Sequence, residues 1–549
     1  MTSLGEQTWF RSGNRSLEGW VHRPDDGHTV GALVIAGPFA HEALVTYRTL
    51  RVLAVEAARR GFVAVRFSWS GTGDSEPAPT NADLAMAWQE DLAAAVELAR
   101  AASGVGLVDA IGIRFGASVV AAADIPIRRR VLWDPLGGRA FLRMQSSLLK
   151  MHLPAGFPLA QQGVELCGYT LDEEAAASLR TLPDPRSAAP RDTAEGDRLI
   201  LEDDPQTADE LFGREPSFAR VPLPSIGRAL DSLDALPTAP LPDWTPERDL
   251  TSVDPASGTR IHQTLVSIGA DRLPGIFTEP VDVPRGTIAA LLVPFGSDPK
   301  GTDRIPRATS VRLAAWGVST LRADRHGIGD AADPQDVEEG RTLTERAYTD
   351  VAQFATWLAE RTGNPILGIG MCSGAWLIAR AATLVPFERL IMVNNQAWST
   401  KRRFYERQRR ILGPMTNATS GLDSDLRTTQ SFARRMLRLV RARAPYPIRH
   451  RLFSPLGRDE VVEMLLKPVP EHTSIRLLFG SGDLRHWESS RGPDIVRRLT
   501  RRGRRIEVEH DPRADHALMS EAAFEAYLEV LDREFQPQAR PIASDAARA

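Results

Sequence analysis

Cysteine is nearly absent. Two cysteines in 549 residues cannot build a disulfide framework, so the sequence points to a reducing compartment, the cytoplasm. Lysine is scarce too: four of the 67 basic residues are Lys, an arginine bias that suggests a GC-rich bacterial genome. No run approaches the roughly 20 apolar residues a membrane-spanning helix needs. Residues 1–10 show no basic start leading into an apolar stretch, so no secretory signal is expected. Net charge is −3, which argues against a whole-chain nucleic-acid binder. Disorder is excluded as well, because 42% apolar and 25% charged residues is a globular balance. The length fits two large domains or three ordinary ones at roughly 100–200 residues each.

What the sequence does contain is a repeat. Gly13 to Asp74 aligns without a gap onto Gly269 to Asp330, at a constant offset of 256. The matches include Leu17/Leu273, Gly19/Gly275, Pro38/Pro294, Phe39/Phe295, Gly61/Gly317, Arg66/Arg322, Gly73/Gly329 and Asp74/Asp330. Turn-forming Gly and Pro dominate, as shared turns would require. Farther along, Gly112-Ile-Arg-Phe-Gly116 falls on Gly370-Met-Cys-Ser-Gly374. Residues 236–244 (LPTAPLPDW) are Pro-rich without apolar periodicity and read as a linker. The halves are therefore placed at 1–245 and 250–535, with a disordered tail at 536–549.

Each half alternates apolar strands with amphipathic helices, which predicts an α/β fold: two tandem, doubly wound, mainly parallel sheets. In the second half, strands are expected at 288–293, 318–322, 366–369, 474–479 and 506–509, and helices at 307–316 and 344–361. In the first half, strands are expected at 32–36, 63–67, 107–111 and 198–201.

The strand ending at Ile369 runs into Gly370-Met371-Cys372-Ser373-Gly374 and then a helix. A Gly-x-nucleophile-x-Gly turn between strand and helix is a nucleophile elbow, whose glycines remove clashes around a strained central residue. Cys372 holds the central position; Ser373 is out of register. The partners should follow in the order acid, then base. Asp483, in Gly480-Ser-Gly-Asp after a late strand, is the candidate acid. His516, in Asp515-His516-Ala-Leu-Met, is the candidate base. His486 is expected to line the site. Backbone N–H groups of Ser373 and of Phe295 or Gly296 are expected to form the oxyanion hole. A thiolate is an intrinsically strong nucleophile, His516 can take the thiol proton, and Asp483 can orient the imidazole.

Strand–GMCSG–helix, then GSGD, then ADHALM resembles the α/β-hydrolase superfamily. The closest flavour is that of the serine-aminopeptidase-like and exopolysaccharide-associated hydrolases. Arg325 to Asp330, with its Gly-x-Gly-Asp end, fits the same flavour. The resemblance spans most of 260–535 and implies acyl chemistry on a helical-capped fold. The chain departs from the pattern at Cys372, where most members carry serine. Gly-x-Cys-x-Gly elbows also occur in dienelactone hydrolases and polyhydroxyalkanoate synthases, which leaves water or another acceptor open.

In the first half Arg114 occupies the nucleophile position. A guanidinium stays protonated and cannot attack a carbonyl. No histidine occurs between His152 and His262, so no base follows Asp203 or Asp204. This half reads as a degenerate copy. In the second half, a helical cap is expected at 396–470. Residues 401–451 within it carry 14 Lys/Arg against 3 Asp/Glu. Arg434 and Arg438 there are candidates for binding an anionic acyl carrier, such as coenzyme A or a carrier protein. The combined expectation is an esterase or thioesterase working through an acyl-enzyme. Alternatives are an acyltransferase to an alcohol or amine, or a non-catalytic tandem scaffold. No cofactor, metal or nucleic-acid partner is expected, and a homo-oligomer is left open.

Overall fold

The computed structural model describes residues 5–78, 81–153, 156–160, 162–187, 198–213, 219–254, 258–293, 304–331, 343–400 and 462–535. Its frame is two mixed sheets. The first has seven strands in the order Glu6–Ser12, Arg15–His22, Phe62–Phe67, Gly31–Ala36, Val108–Ile113, Arg130–Trp133, Arg198–Leu201. The second has nine, in the order Asp249–Val253, Arg260–Ile268, Leu273–Pro280, Ser319–Ala323, Ala289–Val293, Ile366–Met371, Arg389–Val393, Ser474–Phe479, Ile506–His510. In each sheet the opening strands pair antiparallel and the rest parallel. The seven strands of the first sheet follow the same spatial order as the seven from Arg260–Ile268 to Ser474–Phe479 in the second.

The parallel strands are apolar on both faces because helices cover both faces. Val34, Val63 and Ala110 pack into one core of the first half, while Leu33, Ala64 and Ile111 pack into the opposite one. Leu291 and Leu321, against Leu292 and Leu367, divide the second half in the same way. Matched helices begin and end alike. Asp83 accepts from Met86 N at 2.9 Å to cap Leu84–Ser103, and Thr344 accepts from Ala347 N at 3.1 Å to cap Glu345–Thr362. Gly104 and Gly363 close them with φ of 73° and 71°, where a Cβ would be strained.

Several boundaries differ from the sequence expectation. The helix expected from Arg307 begins at Arg304, and the strand expected at 107–111 is Val108–Ile113. Asp483 lies not in an open turn but in the first turn of helix Ser481–Ser489, with Gly480 as its N-cap. The Pro-rich linker is held down: Ala239–Pro240 pairs antiparallel with His28–Thr29, and Trp9 N donates to Glu247 O at 2.9 Å. Most of the expected basic cap, 401–461 with Arg434 and Arg438, lies outside the described residues, as does the tail at 536–549.

The halves interlock through ion pairs. Arg322 Nε bonds Asp74 Oδ1 at 2.8 Å, and Arg66 pairs with Asp330. A hairpin of the first half, Val164–Leu166 and Tyr169–Leu171, also reaches residues 519–521 of the second: Gly168 N donates to Met519 O at 3.0 Å, and Thr170 Oγ1 to Glu521 Oε2 at 2.6 Å.

Candidate active site

Cys372 sits between strand Ile366–Met371 and helix Ser373–Ala381 with φ 47° and ψ −113°. A non-glycine residue there is strained, and the neighbours hold it in place. Cys372 N donates to Val393 O at 2.8 Å, and Ala375 N donates back to Cys372 O at 3.1 Å. A Cβ on Gly370 would come within 2.5 Å of Gly374 O, so only glycine fits before the turn. Cys372 carries the strained backbone, and Ser373 is the first helical residue, where the backbone N–H points toward the helix's N-terminal end.

Arg114 repeats this geometry, with φ 55°, ψ −119° and Arg114 N donating to Trp133 O at 2.9 Å. Its chemistry differs. Arg114 Nε pairs with the buried Glu42 at 2.8 Å, and its guanidinium stacks 4.7 Å from the Phe212 ring. Burial pushes the Glu42 carboxyl up, while Arg114 pulls it back. The charge at the first elbow is thus answered within the protein. Asp203 is likewise occupied, accepting from Trp133 Nε1 at 2.9 Å and Arg228 Nη2 at 2.7 Å. Asp204 caps helix Pro205–Phe212. His41 is lowered to about 4, by burial first and then by His152.

Parallel strands bring the other candidates to the Cys372 end of the second sheet. His516 Nδ1 bonds Asp483 Oδ1 at 2.8 Å. Asp483 is 1% exposed, whereas the His516 side chain keeps 38% of its surface, so His516 is the accessible member of the pair. With Nδ1 on Asp483, the remaining ring nitrogen is the one available to Cys372, whose charge acts on His516. Burial opposes the imidazolium, but the Cys372 charge and the Asp483 hydrogen bond win and raise His516 well above its usual value. The other carboxylates nearby are committed elsewhere. Asp511 pairs with Arg513 at 2.8 Å. Asp515 accepts from the N–H groups of Ala517, Met519 and Ser520, which shapes the loop that carries His516.

Two residues went unnoticed in the sequence. Gln396 Nε2 donates to Asp483 Oδ1 at 2.7 Å. Asn394, at φ 50°, accepts from Gly480 N at 2.8 Å and donates to the carbonyls of Asp515 (2.8 Å) and His516 (3.0 Å). It ties the end of the strand before Asp483 to the loop of His516. The available signal was Asn394-Asn395 directly after a buried strand, since Asn tolerates positive φ better than most residues. His486 reaches the same cluster, its Nε2 3.1 Å from Gln396 O. Phe295 and Gly296 fall outside the described residues, as the strand before them ends at Val293. His262 bonds Thr251 at 3.0 Å, His472 is exposed, and His510 is exposed at the end of its strand, opposite Phe479.

No protein-family model matches the sequence, and no curated protein does. Solved structures give partial likenesses. A dienelactone hydrolase from Anabaena variabilis is 14% identical, with a TM-score of 0.31, over 53% of this chain and 98% of that one. An α/β serine hydrolase without a lid from Xanthomonas campestris is 13% identical, with a TM-score of 0.30, over 55% and 100%. Mouse alpha/beta hydrolase domain-containing protein 10 is 15% identical, with a TM-score of 0.29, over 50% and 97%. The fold is α/β with large, mostly parallel sheets, and the functional reading rests on the geometry of Cys372, His516 and Asp483.

Proposed function

We propose that the chain is an acyl hydrolase, an esterase or thioesterase, using Cys372 as nucleophile, His516 as acid and base, and Asp483 as the orienting carboxylate. One observation carries the reading: a buried Asp483 hydrogen-bonded to a reachable His516, which is coupled by charge to a thiol on a strained strand-to-helix turn. Structural cysteines have no need of such a turn, nor of a charged histidine. In the reaction, the Cys372 sulfur attacks the acyl carbonyl carbon. The oxyanion takes the Ser373 N–H, with Phe295 or Gly296 as the second donor. Collapse breaks the bond to the leaving oxygen or sulfur, which receives the His516 proton. A water then gives its proton to His516, attacks the thioester and releases the acid and the thiol. Gln396 and Asn394 hold Asp483 and the His516 loop during these steps.

The two sheets read as copies of one ancestral unit, 1–245 and 250–535, of which the first has lost its chemistry. The shared strand order, the matched caps and the two elbows with similar dihedrals support this. Mass spectrometry of the intact protein, after incubation with acyl thioesters and aryl esters, tests the mechanism. The expected result is one acyl increment on Cys372. Turnover with acyl label on another residue would overturn it.

A further inference from the structure

One cavity lies outside the Cys372 cluster. It measures about 790 Å³, within the range of small-molecule sites, and neither Cys372, Asp483 nor His516 lines it. Its floor is aromatic and belongs to the first half. Phe39 packs against Trp88 at 5.0 Å and Tyr169 at 4.7 Å between ring centroids, and Leu84 and Leu171 extend the apolar wall. Two guanidiniums enter from the second half, Arg304 and Arg307, one turn apart at the start of helix Arg304–Ala315.

These arginines are poorly satisfied. Arg304 pairs with Glu521 at 2.8 Å and lies 4.3 Å from the Phe524 ring centroid, yet its Nε and Nη2 are buried without a hydrogen-bond partner. Arg307 Nε is buried without one too, and among the described residues Arg307 has no ion pair. Burial first, and then the Arg322 guanidinium, oppose its charge, and Glu76, Asp74 and Asp254 offset them only in part. The carboxylates on the wall are better served. Asp172 accepts from Ala175 N and Asn81 N at 2.8 Å each, and Glu521 takes Arg304 and Thr170. Glu173 sits exposed at the rim. The cavity thus offers spare cationic donors over an apolar floor.

We propose that this cavity between the halves is a binding site for a small amphipathic anion, a carboxylate or phosphate head on an apolar tail or ring. The head takes the Arg304 and Arg307 donors, for which planar guanidiniums suit either oxyanion. The tail lies on Phe39, Trp88 and Tyr169.

Calorimetric titration of the full chain with octanoate, octyl phosphate and octanol tests this. Saturable binding is expected for one or both anions, and none for octanol. Binding of both anions assigns the head group to the guanidinium pair in general, and binding of one selects its class. Arg307→Gln should weaken anion binding at least about tenfold, or roughly 1.4 kcal/mol. The same variant should raise the melting temperature of the free protein, because it removes a buried unpaired cation. A purely structural arginine would do neither. Should Arg307→Gln fail to fold, Ala308→Phe fills the cavity from the same helix and should abolish binding. Absence of saturable binding by either anion, equal binding of octanol, or unchanged affinity in a folded variant overturns the proposal.

Discussion

Arg322 and Asp74, 248 residues apart, form a fully buried ion pair at 2.8 Å, with side chains 0% and 2% exposed. Their repeat equivalents, Arg66 and Asp330, form the mirror pair, 6% and 0% exposed. Each arginine therefore takes the aspartate of the other half rather than its own. In a two-fold dimer, residue i of one subunit meets j of the other, and j meets i. The two halves meet by that rule inside one chain. The crossed pairs make each half part of the surface against which the other packs. Arg322 also donates to Thr278 and Ser310 at 3.0 Å and to Gln263 at 2.9 Å, so its charge is answered and each of its three nitrogens has a partner.

Removing one partner from such a pair strands a buried charge. Asp74→Asn is expected to cost about 3–5 kcal/mol in urea unfolding. Asp330→Asn should behave alike, since Arg66 would be stranded in the same way. Combining Asp74→Asn with Arg322→Met should cost clearly less than the sum of the two single changes. Single variants within about 1 kcal/mol of the parent would mean that the pairs carry little of the interface.

The two cysteines should separate cleanly in labelling. Cys167 is 4% exposed, and burial first, then Asp515, pushes its thiol up to about 12. It stays protonated at working pH and should resist iodoacetamide. Cys372 should take one equivalent. Cys372→Ala should abolish both labelling and acyl-enzyme formation, while Ser373→Ala keeps a measurable share of each. Equal losses in the two variants, read by peptide mapping, would remove the elbow assignment.

The period of the strands and the repeat made the fold legible. Ser474–Phe479 and Arg198–Leu201 match the expected spans. Cys372 and Asp483 were readable because each follows a buried strand at a Gly-rich position, and His516 because it sits in the loop after the last strand. Gln396 and Asn394 were not, since polar residues after a strand look like any turn until a distant loop comes to meet them. The crossed ion pairs were hidden for another reason. The sequence aligns Arg66 with Arg322 and Asp74 with Asp330, but no periodicity says that partners are exchanged. The hairpin at 164–171 was missed because its role lies in what it touches 350 residues later.

That hairpin ties the first half to the chain just after the loop that carries His516. Glu165 Oε1 accepts from Glu521 N at 2.6 Å, and Gly168 N donates to Met519 O at 3.0 Å, just beyond the His516 loop. Glu165→Ala should loosen that loop and lower kcat on the order of tenfold with little change in KM, since small misplacements of catalytic groups can cost up to about 100-fold. Arg114→Ala should leave turnover of a small activated ester nearly unchanged. It should lower stability, because Glu42 would remain buried without its partner. A reversed pattern in steady-state kinetics would mean that the first elbow, not the hairpin, communicates with Cys372.

The last expectation concerns pH. Despite burial, Cys372 and Asp483 raise His516 well above its ordinary value near 6.5. A group raised in the folded state contributes stability that is fully present below its unfolded value. That contribution is lost as pH climbs through the folded value. Unfolding free energy should therefore decline from about pH 6.5 upward, and His516→Gln should flatten that decline. Catalysis gives an independent reading. Asp483→Asn keeps the shape but removes one of the two charges that hold the proton on His516 and unsettles its tautomer. In a serine triad the analogous change costs roughly 10⁴ in kcat. A smaller loss is expected here, because free cysteine titrates near 8.5 and alkaline pH supplies thiolate without a base. The deficit of Asp483→Asn should shrink toward pH 9, and His516→Ala should show the same partial rescue from a lower starting rate. A deficit that stays constant from pH 6 to 9 would mean that Asp483 acts on something other than proton transfer between His516 and Cys372.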